Sequence, residues 1–123
     1  VGLVVVDADF RYLFANRAYA ELFQLDGDLV GRRVPDVLPA GWSQIQPRLE
    51  QAFQGERVAY ELRLPPLAGE SVPRGYSVVY EPRRENGRVL AVVVVVVDIT
   101  VRWRAEAAAI EHKAQLEGIV DSA

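Results

Sequence analysis

The chain has 123 residues, half of them apolar, enough for one domain that buries roughly two thirds of its unfolded surface. A net charge of -3, a pI near 5.2 and 14 Lys and Arg spread without a cluster exclude the basic footprint of a nucleic-acid binder, and no apolar run is long enough to span a membrane. The absence of cysteine excludes disulfides, thiolate metal sites and cysteinyl cofactor attachment, and suits a reducing, cytoplasmic setting.

There is no signal peptide, and the chain opens inside an apolar run without an initiator Met, so it reads as a piece of something longer. LVVVD, from Leu3 to Asp7, and FRYLFAN, ending at Asn16, flank a tight connection and predict a hairpin. Asn16 is a suitable N-cap for RAYAELFQL, in which Ala18, Tyr19, Leu22, Phe23 and Leu25 share one helical face. Asp26-Gly27-Asp28 is expected to stop that helix, and the Pro- and Gly-rich stretch to Gly41 predicts loop with one short helical turn. WSQIQPRLEQAFQG then places Trp42, Ile45, Leu49, Ala52 and Phe53 on one face, with Ser43 as N-cap and Gly55 as stop.

From Arg57 the period becomes two. RVAYELRLP points Val58, Tyr60, Leu62 and Leu64 to one side, and YSVVYEP predicts another strand. Asn86-Gly87 is a strong hairpin signal and leads into VLAVVVVVVDI. A helix is expected to follow. The sum is α+β: a five-stranded antiparallel sheet with helices on one face and a C-terminal helix. The valines at 92–97 do not alternate with polar residues, so both faces of that strand are expected to be covered, one by this domain's helices and the other by a flanking helix or a second subunit.

The segment from Gly2 to Pro39 resembles the opening of a PAS domain. Asp7 stands where an aspartate ends the first strand, Asn16 where an asparagine starts the first helix, and Gly31 where a glycine follows. Asp98-Ile99-Thr100 is similar to the D-I-T that closes the last PAS strand. The resemblance covers residues 1–100, with 101–123 as an outgoing signalling helix. QLEGIVDSA, at the end of that helix, resembles the lead-in to a following PAS domain. Phe10 departs from the pattern, since many members have glycine there, and the usual helix before the first strand is missing.

The resemblance implies a non-enzymatic sensory module of a multidomain bacterial regulator, with a histidine kinase, a cyclic-di-GMP enzyme or a transcription activator as output. It also implies a ligand site between the long helix and the inner sheet face. Trp42, Ile45, Leu49, Phe53, Tyr60, Leu62, Val78, Tyr80 and alternate valines would line it, with Ser77 as a further polar group. The same side chains could fill the core without a ligand, leaving a dimerisation module. Arg48 and Arg63 could serve an anion, though solvated arginines are the ordinary case.

Catalytic signals are lacking. Asp7 with Asp9 and Asp26 with Asp28 have no His or Ser partner, and turn formation explains both pairs. His112, the single histidine, could be a phosphoacceptor, but His112-Lys113-Ala114-Gln115-Leu116 lacks the Glu-Arg-Pro continuation, so a helix-surface histidine is the reading taken. No haem and no covalent flavin are expected, and purified protein should be colourless, whereas an uncoloured ligand remains compatible. Weak self-association is expected through the outer sheet face and a terminal-helix seam of Ala105, Ala109, Leu116 and Ile119. At the strand end, Thr100 is expected to cap a helix starting at Val101. Asp98 is expected to pair with Arg102, which the family pattern of a basic residue near the joint also suggests, and an exposed pair of this kind contributes about 0.5 kcal/mol.

Overall fold

The computed structural model describes residues 1–66 and 69–102. Strands β1 (Gly2–Asp7) and β2 (Tyr12–Ala15) are joined by a turn that Asp7 organises. Its carboxylate accepts from the N–H groups of Asp9 and Arg11 at 2.9 and 3.0 Å, and its carbonyl accepts from Phe10 N–H at 3.0 Å. The turn carries Phe10 to φ 63°, the left-handed region where glycine is at ease. What holds a phenylalanine there is its ring, edge-on to Trp42 at 5.2 Å and to Phe53 at 6.1 Å. The departure from the family's glycine therefore exchanges backbone comfort for aromatic packing.

Helix α1 (Arg17–Leu22) starts as expected. Asn16 Oδ1 accepts from Tyr19 N–H at 2.9 Å and from Leu3 N–H at 3.0 Å, so one side chain caps the helix and fastens it to β1. The helix ends before Asp26-Gly27-Asp28. Gln24 takes φ 52°, Gln24 N–H donates to Glu21 O, and Leu25 N–H donates to Ala20 O at 2.8 Å, the paired bonds of a Schellman ending with glutamine in the usual glycine place. One turn, α2 (Val34–Val37), and a 3-10 turn (Pro39–Gly41) run directly into α3 (Trp42–Phe53). Gly41, not Ser43, occupies the N-cap position, because the 3-10 turn already supplies the entering backbone geometry.

Strands β3 (Val58–Leu64), β4 (Arg74–Glu85) and β5 (Arg88–Asp98) follow, the last two joined through Asn86 and Gly87, both at positive φ. All pairings are antiparallel, in the order β2-β1-β5-β4-β3, so the last strand in sequence lies at the centre. The helices cover one face, with α3 across β3, β4 and β5 and α1 against β1. Val92, Val94 and Val96 point into that core. On the other face Val93 and Val95 are half-buried by the neighbours opposite them, Val5, Leu3 and Val79, while Phe14 and Val97 remain 47% and 42% exposed. A helical turn begins at Thr100. The expected outgoing helix beyond Arg102, with its seam and His112, lies outside the described residues. Among the described residues no helix is long and apolar enough to cross a membrane.

Phe10 gives a direct test of the exchange between ring and backbone. Phe10→Ala loses the ring and keeps the left-handed strain, and should cost about 2 kcal/mol. Phe10→Gly loses the ring but relieves the strain, and should be about 1 kcal/mol more stable than Phe10→Ala in denaturant unfolding.

Candidate functional site

Between the inner sheet face and the helices lies an apolar cavity in which about 30 Å³ is open to the centre of a water molecule, room for about two waters. Of the residues expected to line it, Ile45, Leu49, Leu62, Val78 and Tyr80 do, with Val94 and Val96 from the valine run. Trp42 and Phe53 do not, because they are turned toward Phe10, whose ring competes for that flank of α3. Tyr60 stands behind the wall and reaches it only through Tyr80. Arg48 lies over the Tyr60 ring at 4.5 Å and Arg63 is exposed, and neither lines the cavity. Sequence reasoning missed the N-terminal half of the wall: Val4, Val6, Tyr12, Tyr19, Phe23, Val34 and Leu38. A signal was present for Tyr19 and not for Tyr12. Tyr19 shares the apolar face of α1, whereas alternation in β2 would put Tyr12 with Phe14, and the irregular register opposite Val5 and Val6 sends Tyr12 inward and Phe14 outward.

The polar side chains of the cavity wall are the phenols of Tyr12, Tyr19 and Tyr80, and with Tyr60 behind Tyr80 they form two pairs. Tyr12 and Tyr19 hydroxyls are 2.6 Å apart, and Tyr60 and Tyr80 hydroxyls 2.5 Å apart. Burial pushes Tyr12 and Tyr60 up to about 12 against the lowering influence of their hydrogen-bond partners. Tyr19 and Tyr80 are raised well above the ordinary value, by burial first and then by the neighbouring phenols. All four stay protonated at physiological pH, so the cavity offers hydroxyl donors and no formal charge. Among the described residues no group of metal-ligating side chains forms.

The second feature is the joint at the end of β5. Asp98 Oδ1 accepts from Thr100 N–H at 2.9 Å, so Asp98 caps the new turn. The Thr100 hydroxyl is committed to Gly75 of β4, accepting from its N–H at 3.2 Å and donating to its carbonyl at 3.3 Å. The expected N-cap role of Thr100 thus falls to Asp98. The expected Asp98–Arg102 pair is also corrected: Asp98 Oδ2 accepts from Arg74 Nη2 at 2.5 Å, while Arg102 donates to Glu61 of β3 at 3.1 Å. The reason is register. Asp98 is still strand, so four-residue helical spacing does not apply; it sits opposite Tyr76 on β4, and Arg74 is the diagonal neighbour on the same face. Arg74 also reaches Glu70 in the β3–β4 connection at 3.3 Å.

Tyr76 connects the two features, and the sequence reading did not single it out. Its ring is fully buried against Phe23 of the cavity wall, centroids 4.7 Å apart, and its hydroxyl donates to Leu22 O at 3.3 Å. On its other side it lies opposite Asp98, with the Arg74 guanidinium 5.9 Å from the ring centroid. Cavity wall, Tyr76 and joint are thus one contiguous row of contacts.

The Asp98 and Arg74 side chains are only 27% and 17% exposed, so the value for an exposed pair is too small. Burial alone would raise the Asp98 pKa, but the bonds from Thr100 and the Arg74 cation outweigh it and hold the carboxyl below its ordinary 3.8. Asp98→Ala should cost about 2 kcal/mol, and Asp98→Asn about half that, since an amide oxygen can still accept from Thr100. A lowered folded-state pKa means the pair's contribution is complete above about pH 4 and is lost as pH falls through the folded value. Acid unfolding of wild type should therefore show a loss in that window that Asp98→Asn lacks.

Among solved structures, the fold is similar to a sensory box sensor histidine kinase from Vibrio cholerae (TM-score 0.66, 16% identity, covering 80% of this chain and 81% of that one). It is similar to the PAS domain of a protein from Colwellia psychrerythraea (0.64, 18%, 80% and 86%). A domain described as that of a light and redox sensing histidine kinase from Haloarcula marismortui matches comparably (0.66, 22%, 80% and 89%). At these identities the likeness establishes the fold. A search of curated proteins found no match. A family model described as the PAS fold matches residues 1–104, and the chain belongs to that family.

Proposed function

We propose that the chain is a non-enzymatic input and transmission module of a multidomain bacterial regulator, of the histidine kinase or cyclic-di-GMP enzyme type, working in the cytoplasm and holding an uncoloured small molecule in its core. The observation that carries this reading is Tyr76, which touches the cavity wall through Phe23 and lies opposite Asp98 at the joint. A ligand that shifts Phe23 must shift a fully buried ring, and interiors packed to crystal density pass such a displacement on. Asp98, Thr100 and Arg102 then set how the outgoing segment leaves the sheet, through Arg74, Gly75 and Glu61 respectively. Similarity to domains of sensor histidine kinases supports a kinase-type output.

The small size of the cavity favours a second reading, a dimerisation module with a filled core and no ligand. Both readings share the apolar outer sheet face as a self-association surface, weak and on the order of micromolar. Native mass spectrometry of gently purified protein separates them. The sensor reading predicts a retained small-molecule mass on the monomer and on a concentration-dependent dimer. A bare dimer would favour the filled-core module, and a bare monomer at high concentration would contradict both.

A further inference from the structure

Resting on that reading of the core as a ligand site, we infer that the cavity selects a neutral, elongated apolar molecule ending in a hydrogen-bond-acceptor oxygen of the ketone or aldehyde type.

A pair of phenols that share one hydrogen bond has two O–H protons and uses one. Whichever hydroxyl donates within Tyr12–Tyr19, the other keeps a proton, and the same holds for Tyr60–Tyr80. Among the described residues neither surplus proton has an acceptor. Tyr60 is half-buried and can turn a spare proton toward solvent, whereas Tyr12 and Tyr19 are buried throughout. A buried donor without a partner is costly, so the Tyr12–Tyr19 end calls for an oxygen from outside the chain, and a ligand oxygen seated there takes the place of water. Three of these phenols, Tyr12, Tyr19 and Tyr80, line the cavity directly. The lining contains no cationic side chain, which disfavours a carboxylate, and no anionic one, which disfavours an ammonium.

Size sets the shape. The cavity seats only the acceptor and an atom or two beside it. Phe23 and Leu38, however, also belong to the wall of an apolar groove of about 240 Å³ whose other lining includes Leu25, Pro39, Leu64 and Pro65. An apolar chain attached to the acceptor passes between these two side chains into the groove. Moving Phe23 in this way presses on Tyr76, the contact that leads to the joint.

The test compares three eight-carbon probes, 2-octanone, octane and octanoate, binding to the 123-residue chain, measured by calorimetry. Wild type should take 2-octanone about tenfold more tightly than octane, the worth of one hydrogen bond, and octanoate more weakly still. The variants follow the same count. Tyr19→Phe alone leaves Tyr12 with a free proton and should keep most of the preference. Tyr12→Phe with Tyr19→Phe, or Tyr60→Phe with Tyr80→Phe, removes a pair's surplus donor, and at least one of these doubles should lose the tenfold preference. Replacing both partners of a hydrogen bond by apolar groups of like shape is nearly neutral, so the doubles should fold. A wild-type preference below threefold, or one that survives in both doubles, overturns the inference. Retention of an amine or a carboxylate from the expression host would overturn the ligand class while leaving the sensor reading intact. If nothing is retained and no probe binds, both fall.

Discussion

The fold depends on β5 lying in the middle of the sheet. Six successive valines can only settle where both neighbours are strands and one face is a core, and the order β2-β1-β5-β4-β3 supplies that place. Pairing with β1 on one side and β4 on the other brings the first and last strands of the chain together, which closes the domain. It also fixes where the chain leaves. The strand that forms the floor of the cavity through Val94 and Val96 is the same strand that ends, two residues later, at Asp98.

From that constraint the rest of the site follows. The register of β4 against β5 sets Tyr76 opposite Asp98 and leaves Arg74 on the diagonal, so a cation, a carboxylate and a buried ring meet at one end of the inner face. Gly75 serves the same junction from its backbone, accepting from Ile99 N–H at 2.9 Å and bonding Thr100 twice. The far side of Tyr76 is the cavity wall. In an interior lined by valine, leucine and isoleucine, the phenol pairs are the polar groups.

Much of this was legible in the residue order, and the parts that were not share a cause. The Asn16 cap, the Asn86-Gly87 hairpin and the alternation of β3 are local, and each stands where its pattern placed it. The α3 stripe was legible as a stripe, but a helix face does not say which of its flanks meets the sheet. Trp42 and Phe53 turn to Phe10 because a left-handed turn over thirty residues earlier places a ring there. Arg74 was hidden for the same reason, since it and Asp98 become neighbours only through strand register. Tyr19 and Phe23 were legible from the helical stripe, whereas Tyr12 was hidden by the register shift that separates it from Phe14, and the place of all three in the cavity wall requires β1 to pair with β5, which no local pattern states.

The central claim is that cavity wall and joint are energetically one unit through Tyr76. A double-mutant cycle between Phe23→Leu and Asp98→Asn, read as unfolding free energy at neutral pH, tests it most directly, because neither change removes the tyrosine between them. The account predicts that the two losses fail to add, with an interaction energy of at least about 0.5 kcal/mol. Additivity within about 0.3 kcal/mol would contradict it, and would mean that the cavity and the departing helix merely share a sheet.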